Sequence, residues 1–446
     1  MSETLRELLD SEMASGGHDT VNLGSSADQA PSEEERWAGR GNSRDDGPAI
    51  DESKPLMLMG QIFAATVPSD AAAREEAITC TESTFDTLEL TIRGNKAKPR
   101  SEQCEFIRVS TAAVPADNQA SRPGEVIVDF ADMRDADRLS VDEIAAPVTF
   151  ENIPKGLNLA LYGTAHPTTV KFNDMSGPDD HAEVDIANSN SRFVINDIEH
   201  LEVKTSISGS VILSGDSLKS LTLKGDGLMN LVLSTETMVN LTSIDASAAR
   251  GTFIVTAAET KPLEIKGSQG DDIYILAGNA HNTVSTGKGN DVVLTGGGND
   301  TVDTGEGDDI ISVGRGANSV TTGTGRDLLI LSAIWESWPS FVGRTMTTIQ
   351  DFDAAGGDRI KFRDLADGTI ADKAVRERVQ AAVNDVQPYN PLGDVVEAAR
   401  TATEDYEISW FSWEGDTYVF ADMPQCCTVR LKGIVDLTAD NLMFDT

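Results

Sequence analysis

Short stretches of alternating apolar and polar residues make up most of the chain between residues 55 and 262. A period of two is typical of β-strands that bury one face. The regular spacing favours a stack of parallel coils over an antiparallel sandwich, the alternative, because each coil then differs little from its neighbour. The stretches lie roughly ten residues apart, separated by Gly, Asn, Asp and Ser, and read VTFENI, LNLALYG, TVKFND, AEVDI, FVINDI, HLEVKTS, SVILSG, SLTLKGD and NLVLST.

A stricter period of nine residues follows. Residues 277–330 divide into six consecutive units without an insertion, and a seventh, residues 267–275, precedes them with only Leu276 between. Position 2 is Gly in the six contiguous units, position 6 is Asp or Asn in all seven, and position 8 is aliphatic or Tyr in all seven. In chain order the units are GSQGDDIYI, AGNAHNTVS, TGKGNDVVL, TGGGNDTVD, TGEGDDIIS, VGRGANSVT and TGTGRDLLI.

A metal ion bound between stacked turns explains why the repeat has a period of nine residues. A three-residue strand with one inward side chain is buried only when copies stack, so two units should close one coil. Gly turns expose carbonyl oxygens at the rim and Asp adds a carboxylate, a mixed oxygen set that Ca²⁺ accepts with 6 to 8 ligands. Without the ion, the stacked carboxylates repel and the Gly-rich turns lose entropy on ordering. The candidate ligands are Gly267, Gly270, Asp272, Gly287, Gly289, Asp291, Gly296, Gly298, Asp300, Gly305, Gly307, Asp309, Gly323, Gly325 and Asp327.

Residues 267–330 resemble the RTX (repeats-in-toxin) calcium-binding nonapeptide array, G-G-x-G-x-D-x-U-x. They depart from it at position 1, which is Gly only at Gly267. The resemblance implies a right-handed parallel β-roll that folds in millimolar external calcium after type I secretion. Residues 170–266, with the phrase TSIDASAARG, resemble the β-solenoid repeats of type I-secreted S-layer proteins. The ending, with TTIQDFDAAGGDRIKF and VRLKGIVDLTADNL, is similar to their cap and secretion region.

The expected fold is therefore all-β, a parallel β-solenoid with a β-rich C-terminal cap that contains one or two short helices. Residues 370–386 predict one helix, with a valine stripe through Val375, Val379, Val383 and Val386. The expected organisation is a poorly ordered acidic arm (1–54), a β-rich region (55–145), a solenoid (146–266), the calcium-binding β-roll (267–333) and the cap (334–446).

The net charge and the absence of catalytic motifs argue against several classes of function. The net charge of −37 argues against a nucleic-acid partner, since phosphate binding requires clustered Lys and Arg. No apolar run is long enough to span a bilayer, and residues 1–17 do not read as a signal peptide. The sequence contains no H-E-x-x-H, G-x-S-x-G or P-loop motif, so no catalytic residue is assigned and an enzyme is not expected. The five histidines are scattered and match no metal spacing.

Two local features leave alternatives open. Cys80 and Cys104 lie in strand-like stretches, and the sequence favours two separate thiols over a disulfide between them. Asp351, Asp353 and Asp358 lie in an acidic turn and either add a calcium site or, more commonly for such turns, bond to the local backbone.

Alternate units should stack on the same edge of the roll. One edge then carries Asp272, Asp291, Asp309 and Asp327 at position 6, and the other carries Asn282, Asp300 and Asn318. Because ligand charge tunes calcium affinity, we expect up to about three ions on the first edge, each between successive turns, and at most about one or two weak ions on the second. Arg315 is expected to replace a cation on the second edge.

These patterns predict a secreted or cell-surface, calcium-binding, non-enzymatic structural or adhesive protein of the S-layer type. Its expected partners are several Ca²⁺ ions and either a cell surface or further copies of the chain. Two alternatives stay open, a virion or other assembly component and a secreted enzyme that carries the repeats as an export appendage.

Overall fold

The computed structural model describes most of the chain from residue 62 onward. The described residues are 62–68, 78–79, 87–93, 96–99, 101–102, 104–111, 126–133, 136–142, 144, 146–162, 166–173, 177, 179–187, 190–205, 208–233, 238–331, 346–362, 369–387, 390–403, 406–422 and 427–444. The predicted acidic arm, residues 1–54, lies outside them.

Successive strands alternate between two long sheets, and this makes the protein a parallel β-solenoid of about ten turns. Sheet 1 contains 18 strands and sheet 2 contains 14 of those described. From the eighth strand to the twenty-seventh, each strand pairs in parallel with the strand two places further along the chain. The prediction of stacked parallel coils is confirmed, and the antiparallel sandwich is excluded as the main architecture.

The first strands already follow this scheme. In sheet 1, β1, β3, β6 and β8 pair in parallel, and β8 continues into the next coil. β2 and β5 form a separate parallel pair. The bounds are β1 Ile62–Pro68, β2 Ile78–Thr79, β3 Thr87–Arg93, β4 Lys96–Ala97, β5 Ser101–Glu102, β6 Phe106–Thr111, β7 Val126–Asp129 and β8 Arg138–Asp142.

The nine stretches predicted from alternation all form strands, β9 to β17. Their inward side chains join one continuous core that extends from Leu88 to Leu442. The bounds are β9 Val148–Ile153, β10 Asn158–Tyr162, β11 Thr168–Phe172, β12 His181–Ala187, β13 Asn190–Ile195, β14 His200–Thr205, β15 Gly209–Ser214, β16 Ser220–Gly225, β17 Met229–Leu233, β18 Ser243–Asp245, β19 Phe253–Ala257 and β20 Glu264–Lys266.

The nine-residue units form strands of only three or four residues, with one buried residue flanked by more exposed ones in most of them. Their bounds are β21 Ile273–Leu276, β22 Thr283–Ser285, β23 Val292–Leu294, β24 Thr301–Asp303, β25 Ile310–Ser312, β26 Ser319–Thr321 and β27 Leu328–Leu331.

The last part of the chain closes the solenoid. β28 and β29 continue the parallel ladders, β33 and β34 pair with them, and β31 to β33 form an antiparallel meander. The bounds are β28 Thr348–Ile349, β29 Arg359–Phe362, β30 Thr369–Ile370, α1 Lys373–Asn384, α2 Leu392–Thr401, β31 Glu407–Trp413, β32 Asp416–Ala421, β33 Cys427–Leu431 and β34 Leu442–Phe444.

The two helices confirm the expected cap composition. Asp372 caps α1 by accepting the Val375 N–H at 2.9 Å, and the buried residues of its valine stripe are Val379 and Val383. These valines pack with α2 and with aromatic residues of β31 and β32 in a second core. Neither described helix has the length and apolar character needed to cross a membrane.

Cys104 is disulfide-bonded, so the expectation of a separate thiol is wrong at this position. The preceding strand, β5, pairs in parallel with β2 through Ser101 and Ile78. This pairing brings the segment of β2 beside the segment that carries Cys104, and the sequence alone does not predict its register. Cys80 lies outside the described residues.

Candidate metal centre in the nonapeptide array

Stacking of position 8 builds the coils. The seven side chains at this position are at most 1 % exposed and form two apolar columns, one in each sheet. Neighbouring coils within the array are offset by 18 residues, as two units to a coil require. Position 8 faces inward, as predicted, but in two columns rather than one: Tyr274, Val293, Ile311 and Leu329 in sheet 2, and Val284, Val302 and Val320 in sheet 1.

The glycine turns let successive coils approach backbone to backbone. Gly307 has φ +142°, and a side chain there would collide with the carbonyl oxygen of Gly289 one coil earlier. Gly323, with φ +88°, meets Gly305 in the same way. Only glycine tolerates this combination of positive φ and contact. The ten predicted glycines all lie in such inter-coil contacts, at Gly267, Gly270, Gly287, Gly289, Gly296, Gly298, Gly305, Gly307, Gly323 and Gly325.

The aspartates of the first edge form a continuous ladder. The Asp272 N–H donates to Asp291 Oδ1 at 2.7 Å, and Asp291 donates in turn to Asp309 at 2.7 Å. Asp309 donates to Asp327 at 2.9 Å, and Asp327 donates to Asp358 of the cap at 3.0 Å. The structure therefore brings the four predicted aspartates together in one column, and one oxygen of each accepts a backbone N–H.

The second carboxylate oxygen is different. Oδ2 of Asp291, Asp309 and Asp327 is buried and has no hydrogen-bond partner among the described residues. Burial raises the pKa of Asp291 to about 8, of Asp327 to about 7 and of Asp309 to about 6. A buried polar atom without a partner is costly, and a bound cation would satisfy these oxygens and neutralise their charge. The donor set, carboxylate oxygens beside closely stacked turns, fits Ca²⁺.

Asp272 lies at the start of the ladder and has both oxygens engaged. Its Oδ1 accepts from Phe253 N at 2.8 Å, and its Oδ2 accepts from Ser268 N at 2.7 Å and from the Tyr274 hydroxyl at 3.1 Å. Burial raises the pKa of Asp272 to about 6 despite these donors. At Asp272, protein donors thus satisfy both carboxylate oxygens, whereas at Asp291 a bound ion would satisfy the second oxygen.

The second edge repeats the ladder with fewer carboxylates. Leu263 N donates to Asn282 Oδ1 at 3.1 Å, Asn282 N donates to Asp300 at 2.8 Å, and Asp300 N donates to Asn318 at 2.9 Å. Asp300 Oδ2 is buried without a partner among the described residues, and burial raises the pKa of this carboxyl. One partnerless carboxylate oxygen therefore lies on this edge against three on the first.

Threonine at position 1, where the nonapeptide pattern expects glycine, forms a ladder of its own that sequence reasoning missed. The Thr286 hydroxyl donates to the Thr304 carbonyl and the Thr304 hydroxyl to the Thr322 carbonyl, both at 2.8 Å. All three are at most 1 % exposed. The recurrence of Thr at this position was the available signal, since a buried hydroxyl requires a partner.

Position 5 forms an outer ladder on the first edge. Asn290 N donates to Asp271, Asp308 N donates to Asn290, and Arg326 N donates to Asp308 Oδ1 at 2.8 Å. The Arg326 guanidinium also bonds Asp308 Oδ2 at 2.6 Å. On the first edge, the positive charge of the Arg326 guanidinium therefore pairs with the Asp308 carboxylate at the rim. Arg315, predicted to take a cation's place on the second edge, is exposed there.

The acidic turn of the cap bonds to the backbone. Asp351 accepts from Thr322 N and Gly323 N at 2.8 and 2.9 Å, and Asp353 Oδ1 accepts from Gly356 N at 2.8 Å. Asp358 accepts from Asp327 N and, at 2.7 Å, from Asp353 N. Asp358 ends the first-edge ladder, Asp351 bonds the last turn of the array, and Asp353 bonds within its own turn. A calcium site at this turn stays a prediction.

The geometry agrees with a family comparison. Residues 276–311 and 303–333 match a family model that describes the RTX calcium-binding nonapeptide repeat in four copies. The segment is an RTX repeat array. RTX repeats bind several Ca²⁺ ions per array, so calcium is a ligand of this protein. The first unit, residues 267–275, lies outside the match, in keeping with the saturated aspartate that it carries.

The RTX match covers only this part of the chain. No curated protein is similar enough to the chain to count as a match. The resemblance of residues 170–266 to S-layer proteins therefore stays a prediction, as do the division into domains and the role of the cap in secretion.

Proposed function

We propose that the protein is an exported, non-enzymatic structural or adhesive component of a cell surface, and that its RTX array orders when it binds calcium. The RTX repeats and the β-solenoid already support a calcium-binding structural protein. Export, adhesion and folding on binding are the additional parts of the proposal.

One observation carries it, the column of partnerless buried oxygens at Asp291, Asp309 and Asp327. Desolvation disfavours three stacked carboxylates in adjacent coils unless positive charge accompanies them. When binding supplies that charge, binding free energy becomes folding free energy. Mg²⁺ should substitute poorly, because it requires a tight octahedron and retains its waters.

The ions should be distributed unevenly over the two edges. We propose about three Ca²⁺ ions between the coils of the first edge and at most about two weak ions on the second, where Asn282 and Asn318 bring no charge. The saturated Asp272 makes the first interval of the first edge the weakest. A structure in millimolar calcium with both edges evenly filled, or only the Asn-bearing edge filled, would contradict this distribution.

A calcium titration of the full chain tests folding on binding. Circular dichroism should show low β-signal for the array in chelator and a cooperative gain in millimolar calcium, with little gain in equal magnesium. The matched variant Asp291→Asn keeps the size of the side chain and should shift the titration to higher calcium. Identical spectra in chelator and in calcium would contradict the proposal.

Two features support export. Cys104 is disulfide-bonded, and disulfides persist mainly in oxidising compartments outside the cytosol. The cap resembles the secretion region of type I-secreted proteins, so a chain that ends at Ala366 should no longer be exported through that route. Export of the shortened chain at the level of the full chain would refute the assignment.

A further inference from the structure

Two histidines and an aspartate that the sequence scatters meet on the outer face of sheet 1. His181 and His200 are direct partners in the parallel pairing of β12 with β14, and their rings stack with centroids 4.6 Å apart. Asp179 Oδ1 lies 2.8 Å from His200 Nε2 and 3.6 Å from His181 Nε2. One ligand atom of each residue lies within 4.8 Å of the others.

Hydrogen bonds orient this trio. His200 Nδ1 lies 2.6 Å from the Ser220 hydroxyl, which directs the opposite nitrogen, Nε2, toward Asp179. A hydrogen bond to the second ring nitrogen is the usual support of a metal-binding histidine. The trio is distant in sequence from the RTX array and shares no residue with its two ladders.

The turn that carries Asp179 is fixed by its neighbour Asp180, which is 3 % exposed. Asp180 accepts from Lys155 Nζ at 2.7 Å and from Gly177 N at 3.0 Å, and the ion pair with Lys155 lowers the pKa of Asp180. The Asp180 N–H donates to Glu199 Oε2 at 3.0 Å, and the His200 N–H donates to the Asp180 carbonyl at 3.0 Å. The backbone of His200 is therefore bonded to Asp180, the residue next to Asp179.

We propose that Asp179, His181 and His200 bind a divalent first-row transition metal, with Zn²⁺ as the best fit. Bonds of about 2.0–2.2 Å at a tetrahedral zinc place neighbouring ligand atoms about 3.4 Å apart. The observed separations from Asp179, 2.8 and 3.6 Å, bracket that value. Imidazole nitrogen and carboxylate oxygen suit zinc, whereas Ca²⁺ takes oxygen.

The fourth coordination position is open. His181 and His200 line a surface cavity of about 340 Å³, together with Glu183, Glu202 and Ser220. Three protein ligands and one free position form the arrangement in which zinc retains an exchangeable water. The site is thus suited to take a water or a ligand group of a second molecule.

An exposed His–Asp ion pair is the simpler account of the contact, but it explains less. Such a pair at the surface contributes little to stability. A neutral imidazole that donates its Nε2–H to Asp179 accounts for the 2.8 Å contact of His200, but it gives no reason for His181 Nε2 to lie 3.6 Å from the same carboxylate oxygen. A metal satisfies both Nε2 atoms and the carboxylate with one charge centre.

Zinc titration of the full-length, calcium-saturated protein tests the proposal, because calcium then occupies the RTX carboxylates. Calorimetry should find one zinc ion per chain that is lost in the double variant His181→Gln/His200→Gln. Ser220→Ala should weaken that zinc about tenfold, as loss of an outer hydrogen bond does. Cobalt should give the intense visible absorption of a tetrahedral ion in the wild type and not in the double variant.

The control is His166→Gln, which removes a histidine ahead of β11 in the other sheet and should leave zinc binding unchanged. Circular dichroism in calcium checks that each variant is folded. If the double variant is not folded, the single variant His181→Gln at an exposed position carries the test. Equal zinc stoichiometry and affinity in the wild type and the folded variant would overturn the proposal.

Discussion

Calcium removal should make the order of the RTX array strongly dependent on pH. In the calcium-free coil, burial raises the pKa of Asp291 from 3.8 to about 8 and that of Asp327 to about 7. A carboxyl whose pKa is raised by folding makes the folded state bind more protons than the unfolded state. Its stabilising contribution is full below about pH 4 and is lost as the pH rises through the folded pKa.

The free-energy cost of ionising Asp291 follows from the difference between its ordinary pKa of 3.8 and its pKa of about 8 in the folded coil. At 1.36 kcal/mol for each factor of ten in proton affinity, ionising Asp291 in the calcium-free coil costs about 6 kcal/mol. That is as large as the whole stability of many domains, about 5–15 kcal/mol. Above pH 8 the array should therefore require calcium, whereas near pH 5 protons should partly replace it.

Circular dichroism of the chelated full chain between pH 5 and 8.5 measures this effect. The β-signal of the array should fall as the pH rises, and millimolar calcium should abolish the dependence. Asp291→Asn removes the largest contribution and should move the loss of signal to higher pH. Asp226→Asn, an equal change of charge at an exposed position, should not. Equal signals at pH 5 and 8.5 in chelator, or equal shifts in the two variants, would refute the reasoning.

Two further substitutions test the array. Asp309→Ala should cost more calcium affinity than Asn318→Ala, because Asp309 presents a partnerless charged oxygen between two coils whereas Asn318 is neutral. A calcium titration that ranks the two variants the other way would contradict the edge assignment. Gly307→Ala should destabilise the calcium-bound array by about 3 kcal/mol or more in denaturant unfolding, since it combines positive φ with a backbone collision. Gly156→Ala has positive φ but open space and should cost only about 1 kcal/mol, so equal losses would show that the collision is unimportant.

Repetition explains why so much of the array could be predicted from the sequence. A column such as Val293, Ile311 and Leu329 requires one residue type at one spacing, and every unit of the array meets that requirement. The same holds for the aspartate ladder from Asp291 to Asp327. These features need no knowledge of contacts beyond the nearest coil.

Features that depend on irregular spacing could not be predicted in this way. His181 and His200 are partners because one upstream coil is 19 residues long, a length that only the register reveals. The saturation of Asp272 depends on Ser268 and Tyr274, which occur in one unit alone. The pairing of Arg326 with Asp308 likewise depends on which residues meet at position 5 in two particular units.

The aspartate ladder of the first edge also has a direction. Each backbone N–H at position 6 donates to the coil that follows it in the chain, and the last acceptor, Asp358, belongs to the cap. Every coil is therefore completed by its C-terminal neighbour, and none by its N-terminal one, in this set of bonds. The cap therefore supplies the last acceptor of this ladder, and we expect the loss of one aspartate to leave an N–H without its acceptor in the coil before it while the bonds of the later coils stay complete.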